Sequence, residues 1–197
     1  MKSAILLGDV IKSTQGKYSV WQLGLKEVLN KYTNDSDDWD IYRGDGFQAK
    51  VHQNEVLTAA LEIKTFLKST ANKDARMAIA VGEVDYGYKR IAEASGDALV
   101  RAGRLFEETR SGIRIDSGVE GIDESLNVTL GLLTFIVENW TQSQAELILY
   151  KINHPHLKQT QLAESLGISQ GTLSQRLSRT GIDKVQAAID YIHAQIR

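Results

Sequence analysis

Between Gln159 and Leu177 the chain reads Gln-Thr-Gln-Leu-Ala-Glu-Ser-Leu-Gly-Ile-Ser-Gln-Gly-Thr-Leu-Ser-Gln-Arg-Leu, and few folds satisfy that spacing. Ala163 is small enough for a second helix to cross close over the first. Gly167, four residues on, supplies the positive φ that a tight turn requires. Ile168 reads as a buried plug and Ser169 as the N-cap of the next helix. Leu162, Leu166, Leu173 and Leu177 form one shared apolar seam. The segment is therefore expected to be a helix-turn-helix. Its second helix would turn Gln170, Gly171, Ser174, Gln175, Ser178 and Arg179 outward. Gln and Arg can make paired hydrogen bonds to adenine and guanine edges, and Ser169 or Thr172 can reach phosphate. With Arg176 added for its charge, the candidate contacts to double-stranded DNA are Ser169, Gln170, Thr172, Ser174, Gln175, Arg176 and Arg179. No acidic residue lies between Ser165 and Ile182, which favours DNA over a protein-binding three-helix unit.

Charge supports the same division of the chain. The net charge is −2, but residues 140–197 carry 6 Lys+Arg against 4 Asp+Glu, while residues 1–139 carry 17 against 21. The asymmetry is small. With only Lys158, Arg176 and Arg179 near the motif, one copy binds weakly and specific binding calls for a homodimer.

The residues before the motif alternate strands and helices. Ser3 to Gly8 is a continuous apolar run, as in a strand buried on both faces. Val20, Leu23, Val28 and Leu29 mark a helix over residues 18–32. Trp39, Ile41 and Arg43, then Phe47, Ala49 and Val51, alternate with period two around Gly44-Asp45-Gly46, the signal of a hairpin. A helix over 56–67 (Val56, Ala59, Ala60, Ile63, Phe66, Leu67) and a strand over 77–84 complete a β-α-β-β-α-β order. That order predicts an α+β fold, a ferredoxin-like or polymerase-palm body followed by an all-helical tail. Further elements are expected at 97–108, 112–116 and 124–140, then helices at 142–153, 160–166, 170–180 and 184–196. The expected division is a body at 1–120, a connecting helix at 121–140 and the DNA-binding tail at 141–197. The stripe Leu126, Leu130, Leu133 and Val137 reads as core or dimer interface.

In such a palm the first and third strands are antiparallel neighbours, so Asp9 falls close to Asp45 at the hairpin turn. Two carboxylates ~4 Å apart repel by about 1 kcal/mol in water and more inside a protein. They persist where a divalent ion or an arginine answers them. Asp9 and Asp45 are thus candidate ligands for Mg²⁺ or Mn²⁺ with a nucleotide; the alternative is a pair of turn residues neutralised by Arg43 or Arg76.

Ala4-Ile-Leu-Leu-Gly-Asp-Val-Ile-Lys-Ser-Thr14, Arg43-Gly-Asp-Gly-Phe47, Ala78-Ile-Ala-Val-Gly-Glu83 and Gly96-Asp-Ala-Leu-Val-Arg-Ala-Gly-Arg104 resemble successive motifs of class III nucleotidyl cyclase domains. The whole chain is most similar to the SatD family, in which such a body precedes a helix-turn-helix, here resembling the sigma-factor region-four type. The resemblance implies that Asp9 and Asp45 match metal ligands and that Arg104 matches the arginine steadying the transition state. It departs at Ile41 and Val100, where cyclases carry a base-selecting lysine and a ribose-orienting asparagine. Apolar side chains cannot make those contacts, so cyclisation is not expected. The resemblance implies a cytoplasmic DNA-binding regulator of transcription whose cyclase-like body senses a nucleotide or other small-molecule effector, dimerises, or both. The rival is a divergent metal-dependent nucleotidyl transferase or cyclase with a regulatory helical tail.

Other signals carry less. The absence of cysteine removes disulfides and thiolate metal sites. The longest apolar run, Leu126 to Val137, has 12 residues where roughly 20 would span a bilayer, so no membrane partner is expected. Gly167-Ile-Ser-Gln-Gly171 fits the letters of a nucleophile elbow without the strand that elbow needs. His154 and His156 read as loop residues, and Asp35, Asp37, Asp38 and Asp40 as a solvated acidic turn.

Overall fold

β1 (Ser3–Ile11) runs through the middle of the molecule because its neighbours cover both of its edges and both of its faces. The computed structural model describes residues 3–14, 18–85 and 89–197, with only the backbone of 18–20. After β1 come α1 (Tyr18–Tyr32), β2 (Trp39–Tyr42), β3 (Gly46–His52), α2 (Val56–Ala71) and β4 (Asp74–Gly82). α3 (Asp97–Glu108), β5 (Ile113–Asp116) and α4 (Asp123–Glu138) follow. α5 (Gln142–Asn153), α6 (Gln159–Ser165), α7 (Gln170–Thr180) and α8 (Ile182–Gln195) form the tail. Among the described residues this is a mixed α+β fold with one five-stranded sheet and eight α-helices. No helix among them is long and apolar enough to cross a membrane.

The sheet order is β2-β3-β1-β4-β5, with β1 antiparallel to both β3 and β4, and β5 parallel to β4. Period two then assigns the faces. Ala4, Leu6 and Val10 join Phe47, Ala49, Met77 and Ile79 in the large core under α1 and α2. Ile5 and Ala80 face the other way and pack with Ala98 and Ala102 of α3 in a smaller cluster. Gly8 is required by close approach: a Cβ there would stand 2.3 Å from the Phe47 ring.

Two departures from periodicity have clear causes. Leu23 is 63% exposed, and α1 buries Trp21, Leu25, Val28 and Leu29 instead. Those four recur at helical spacing, with Leu23 on the far side of the helix; the side chain of Val20 lies outside the described residues. β1 also runs three residues past Gly8, carrying Asp9 inside the ladder opposite Arg76.

The large core does not stop at the sheet. It continues through Leu126, Leu130, Leu133 and Val137 of α4 into Ile148, Leu162, Leu173, Leu177, Val185 and Ile189 of the tail. α2 lies against the sheet on one side and against α5 and α8 on the other. Two of its charged residues, Glu62 and Lys64, are buried and paired. Glu62 takes Lys31 at 2.7 Å and Tyr32 Oη at 2.5 Å; Lys64 takes Asp74 at 2.6 Å and Glu138 at 3.1 Å.

Candidate functional site

At the sheet end, the antiparallel register sets Asp9 opposite Gly46, and the Val10 N–H donates to the Asp45 carbonyl at 3.1 Å. The two aspartates thus lie side by side, Asp9 in β1 and Asp45 in the turn that leads into β3. Their carboxylates have separate partners. Arg76 Nε lies 3.1 and 3.0 Å from the two Asp9 oxygens, and Nη2 donates to Oδ2 at 2.8 Å. The third nitrogen of that guanidinium donates to the Thr109 carbonyl at 2.7 Å, and its face rests 4.4 Å from the centre of the Phe106 ring. The hydrogen bonds from Arg76 to Asp9 hold the arginine further toward its charged form, against an opposing effect of burial. Asp45 Oδ2 instead accepts from Ser13 Oγ at 2.6 Å.

Both oxygens of Asp9 are thus engaged by a guanidinium, and among the described residues no group of three or more His, Asp or Glu side chains gathers. Arg104 is exposed on α3 and bonds neither aspartate. The arginine that does organise α3 is Arg101, which sequence reasoning gave no role. It donates to Asp97 at 2.6 Å, to the Val81 carbonyl at 2.6 Å and to Asp116, tying α3 to β4 and β5. Its spacing of four from Asp97 was the available signal. Val100 is 62% exposed and Ile41 packs against the core edge.

In the tail, α6 ends at Ser165 and the turn passes through Gly167 at φ 66°. The Ile168 N–H returns to the Ala163 carbonyl at 3.0 Å, closing the turn over the small residue. Ser169 Oγ then accepts the Thr172 N–H at 3.1 Å and caps α7. Leu173 and Leu177 are 0% and 4% exposed, whereas Ser169, Gln170, Thr172, Ser174, Gln175, Arg176 and Arg179 are all exposed. Ile168 is half-buried. The outward residues divide between two surfaces. Gln170, Ser174, Gln175 and Ser178 line an open concavity along α7. Arg176 instead faces the first turn of α5, lining a second recess with Thr141, Gln144 and Leu147; Arg179 borders both.

The rest of the protein fixes the position of α7. Trp140 Nε1 donates to the Thr180 carbonyl at 2.7 Å, and Thr141 and Gln144 form a reciprocal cap that starts α5. His193 on α8 accepts the Leu57 N–H of α2 at 3.4 Å. His154 stacks on Tyr150 at 4.2 Å and bonds its carbonyl at 2.8 Å, at the end of its own helix. No protein-family model matches the chain, and no curated protein matches it.

Proposed function

We propose that this is a DNA-binding regulator of transcription, acting as a homodimer in the cytoplasm, with the body serving as sensor and dimerisation unit. The observation that carries it is the outward face of α7: every side chain there is polar or basic and exposed, with no carboxylate from Ser165 to Ile182. α6 and α7 then act as a helix-turn-helix. Gln170, Ser174 and Gln175 meet base edges, and Arg176 and Arg179 meet phosphate beside the positively polarised start of α5.

The strand order β2-β3-β1-β4-β5 and the motifs that resemble those of the SatD family support a cyclase-derived origin for the body. Its aspartates act structurally. The Asp9–Arg76 pair ties β1 to β4, which favours the regulator reading over the nucleotidyl transferase.

A second copy supplies the affinity that three cations near the motif do not. On α4 the outer face exposes Val128, Leu132 and Phe135 at 61%, 67% and 68%, spaced i, i+4, i+7. An apolar stripe of that kind marks an interaction surface. The regulator reading is tested by selection from a randomised DNA pool. An enriched sequence, bound by a dimer, supports it; a strictly monomeric protein with no enriched sequence contradicts it.

A further inference from the structure

Among the described residues, one buried charge has no ion-pair partner. A cavity of about 440 Å³ opens between the ends of α2 and α4 and the start of β4, with Ile11 and Val137 on its apolar wall. Lys12, Lys64, Lys68 and Lys73 line it, with Asp74 and Glu138. Lys64 is satisfied, holding Asp74 at 2.6 Å and Glu138 and the Ala75 carbonyl at 3.1 Å each. Both carboxylates of the cavity are thereby engaged.

Lys73 differs. The residue is only 8% exposed, and its ammonium donates one hydrogen bond, to the Lys12 carbonyl at 2.6 Å. Among the described residues it has no ion-pair partner, and the side chains of Lys12 and Lys68 have neither hydrogen-bond nor ion-pair partners. A buried cation without a counter-charge is costly, and a cationic cavity of this size is one that an anion fills. Three unanswered ammonium groups match a phosphate monoester, which carries about −1.5 to −2 charges at neutral pH.

We propose that this cavity binds a small phosphorylated molecule. Lys73 anchors the phosphate, Lys12 and Lys68 close on its remaining oxygens, and Ile11 and Val137 take an apolar portion. The site gives the regulator reading its class of effector and rests on that reading only for the consequence at DNA. Glu138 ends α4 two residues before Trp140, whose indole holds the end of α7.

The test uses inorganic phosphate and phenyl phosphate as probes, titrated by calorimetry into the purified chain at constant ionic strength and without DNA. Both are expected to bind, phenyl phosphate more tightly, and Lys12→Gln with Lys68→Gln is expected to weaken binding by about tenfold or more, since each charged hydrogen bond lost is worth a large part of that factor. Lys12 and Lys68 reach solvent, so the double variant keeps its fold; Lys73→Met, checked for folding by circular dichroism, should abolish binding. No heat with either probe, or equal affinity in the double variant, overturns the proposal. Because DNA is absent, this result is independent of whether α7 binds it.

Discussion

The Trp140 indole N–H donates to the carbonyl of Thr180 at 2.7 Å, across 40 residues of sequence, in a fully buried bond between the end of α4 and the end of α7. Thr180 is also fixed from within, its hydroxyl donating to the Leu177 carbonyl at 2.6 Å and accepting the Ile182 N–H at 3.2 Å. α7 is therefore held at its far end. Trp140→Phe keeps an aromatic ring and leaves the Thr180 carbonyl unanswered. It is expected to cost ~1–3 kcal/mol, the range for an unsatisfied buried acceptor. The urea midpoint measures this directly.

Protonation of His193 works against the tail. The ring accepts a hydrogen bond from the start of α2, and its pKa is held below the ordinary histidine value. Burial is the main cause and the Arg197 charge adds to it, while Asp190 opposes both. The unfolded chain thus binds the proton more readily than the folded one. Stability is full above the unfolded value of about 6.5 and is lost as pH falls through the lower folded value. Urea midpoints at about pH 7.5 and pH 5 should differ more for the native chain than for His193→Gln.

Much of this was legible in the sequence, and the exceptions share a cause. The alternation at 39–51 and the spacing of Ala163, Gly167 and Leu173 are local signals, and the elements lie where those signals put them. What failed depends on distant chain. Glu62 and Lys64 carry no sequence signal for burial, yet each is 2% exposed because partners on other elements hold them, Lys31 and Tyr32 for Glu62 and Asp74 and Glu138 for Lys64. Asp9 reads as the end of a strand, yet stays in the ladder because Arg76, 67 residues on, answers its charge. His193 gave no signal; its role exists only where α8 meets α2.

The pair of Asp9 and Arg76 should be structural. Side-chain exposures of 30% and 26% leave the charges partly screened, so a double-mutant cycle on Asp9→Asn and Arg76→Gln should give a coupling of ~1 kcal/mol. With Ile41 and Val100 in place of polar selecting groups, turnover of ATP or GTP to a cyclic product should be negligible with Mg²⁺ or Mn²⁺. Robust turnover lost in Asp45→Ala would overturn this assignment.

On α4 the two apolar faces should behave differently. Leu130 is 0% exposed and Leu132 is 67% exposed. Leu130→Ala should cost ~2–5 kcal/mol as a core cavity, measured by denaturant titration. Leu132→Glu should leave the unfolding midpoint nearly unchanged and shift the protein from dimer to monomer by light scattering. A dimer that persists in Leu132→Glu places the interface elsewhere.

The most direct measurement is a fluorescence titration of the full chain with its enriched DNA site and with scrambled DNA, at two salt concentrations. α7 has 11 residues and spans ~16 Å, enough for one half-site, so the preferred DNA should carry two half-sites ~34 Å apart or a multiple of it. Gln175→Ala should lower affinity for the preferred site by ~1–3 kcal/mol and leave scrambled DNA unaffected, the mark of a base contact. Arg176→Ala should weaken both DNAs alike and flatten the salt dependence, the mark of a phosphate contact. Equal affinity for both DNAs, unchanged by either substitution, would contradict DNA recognition by α7.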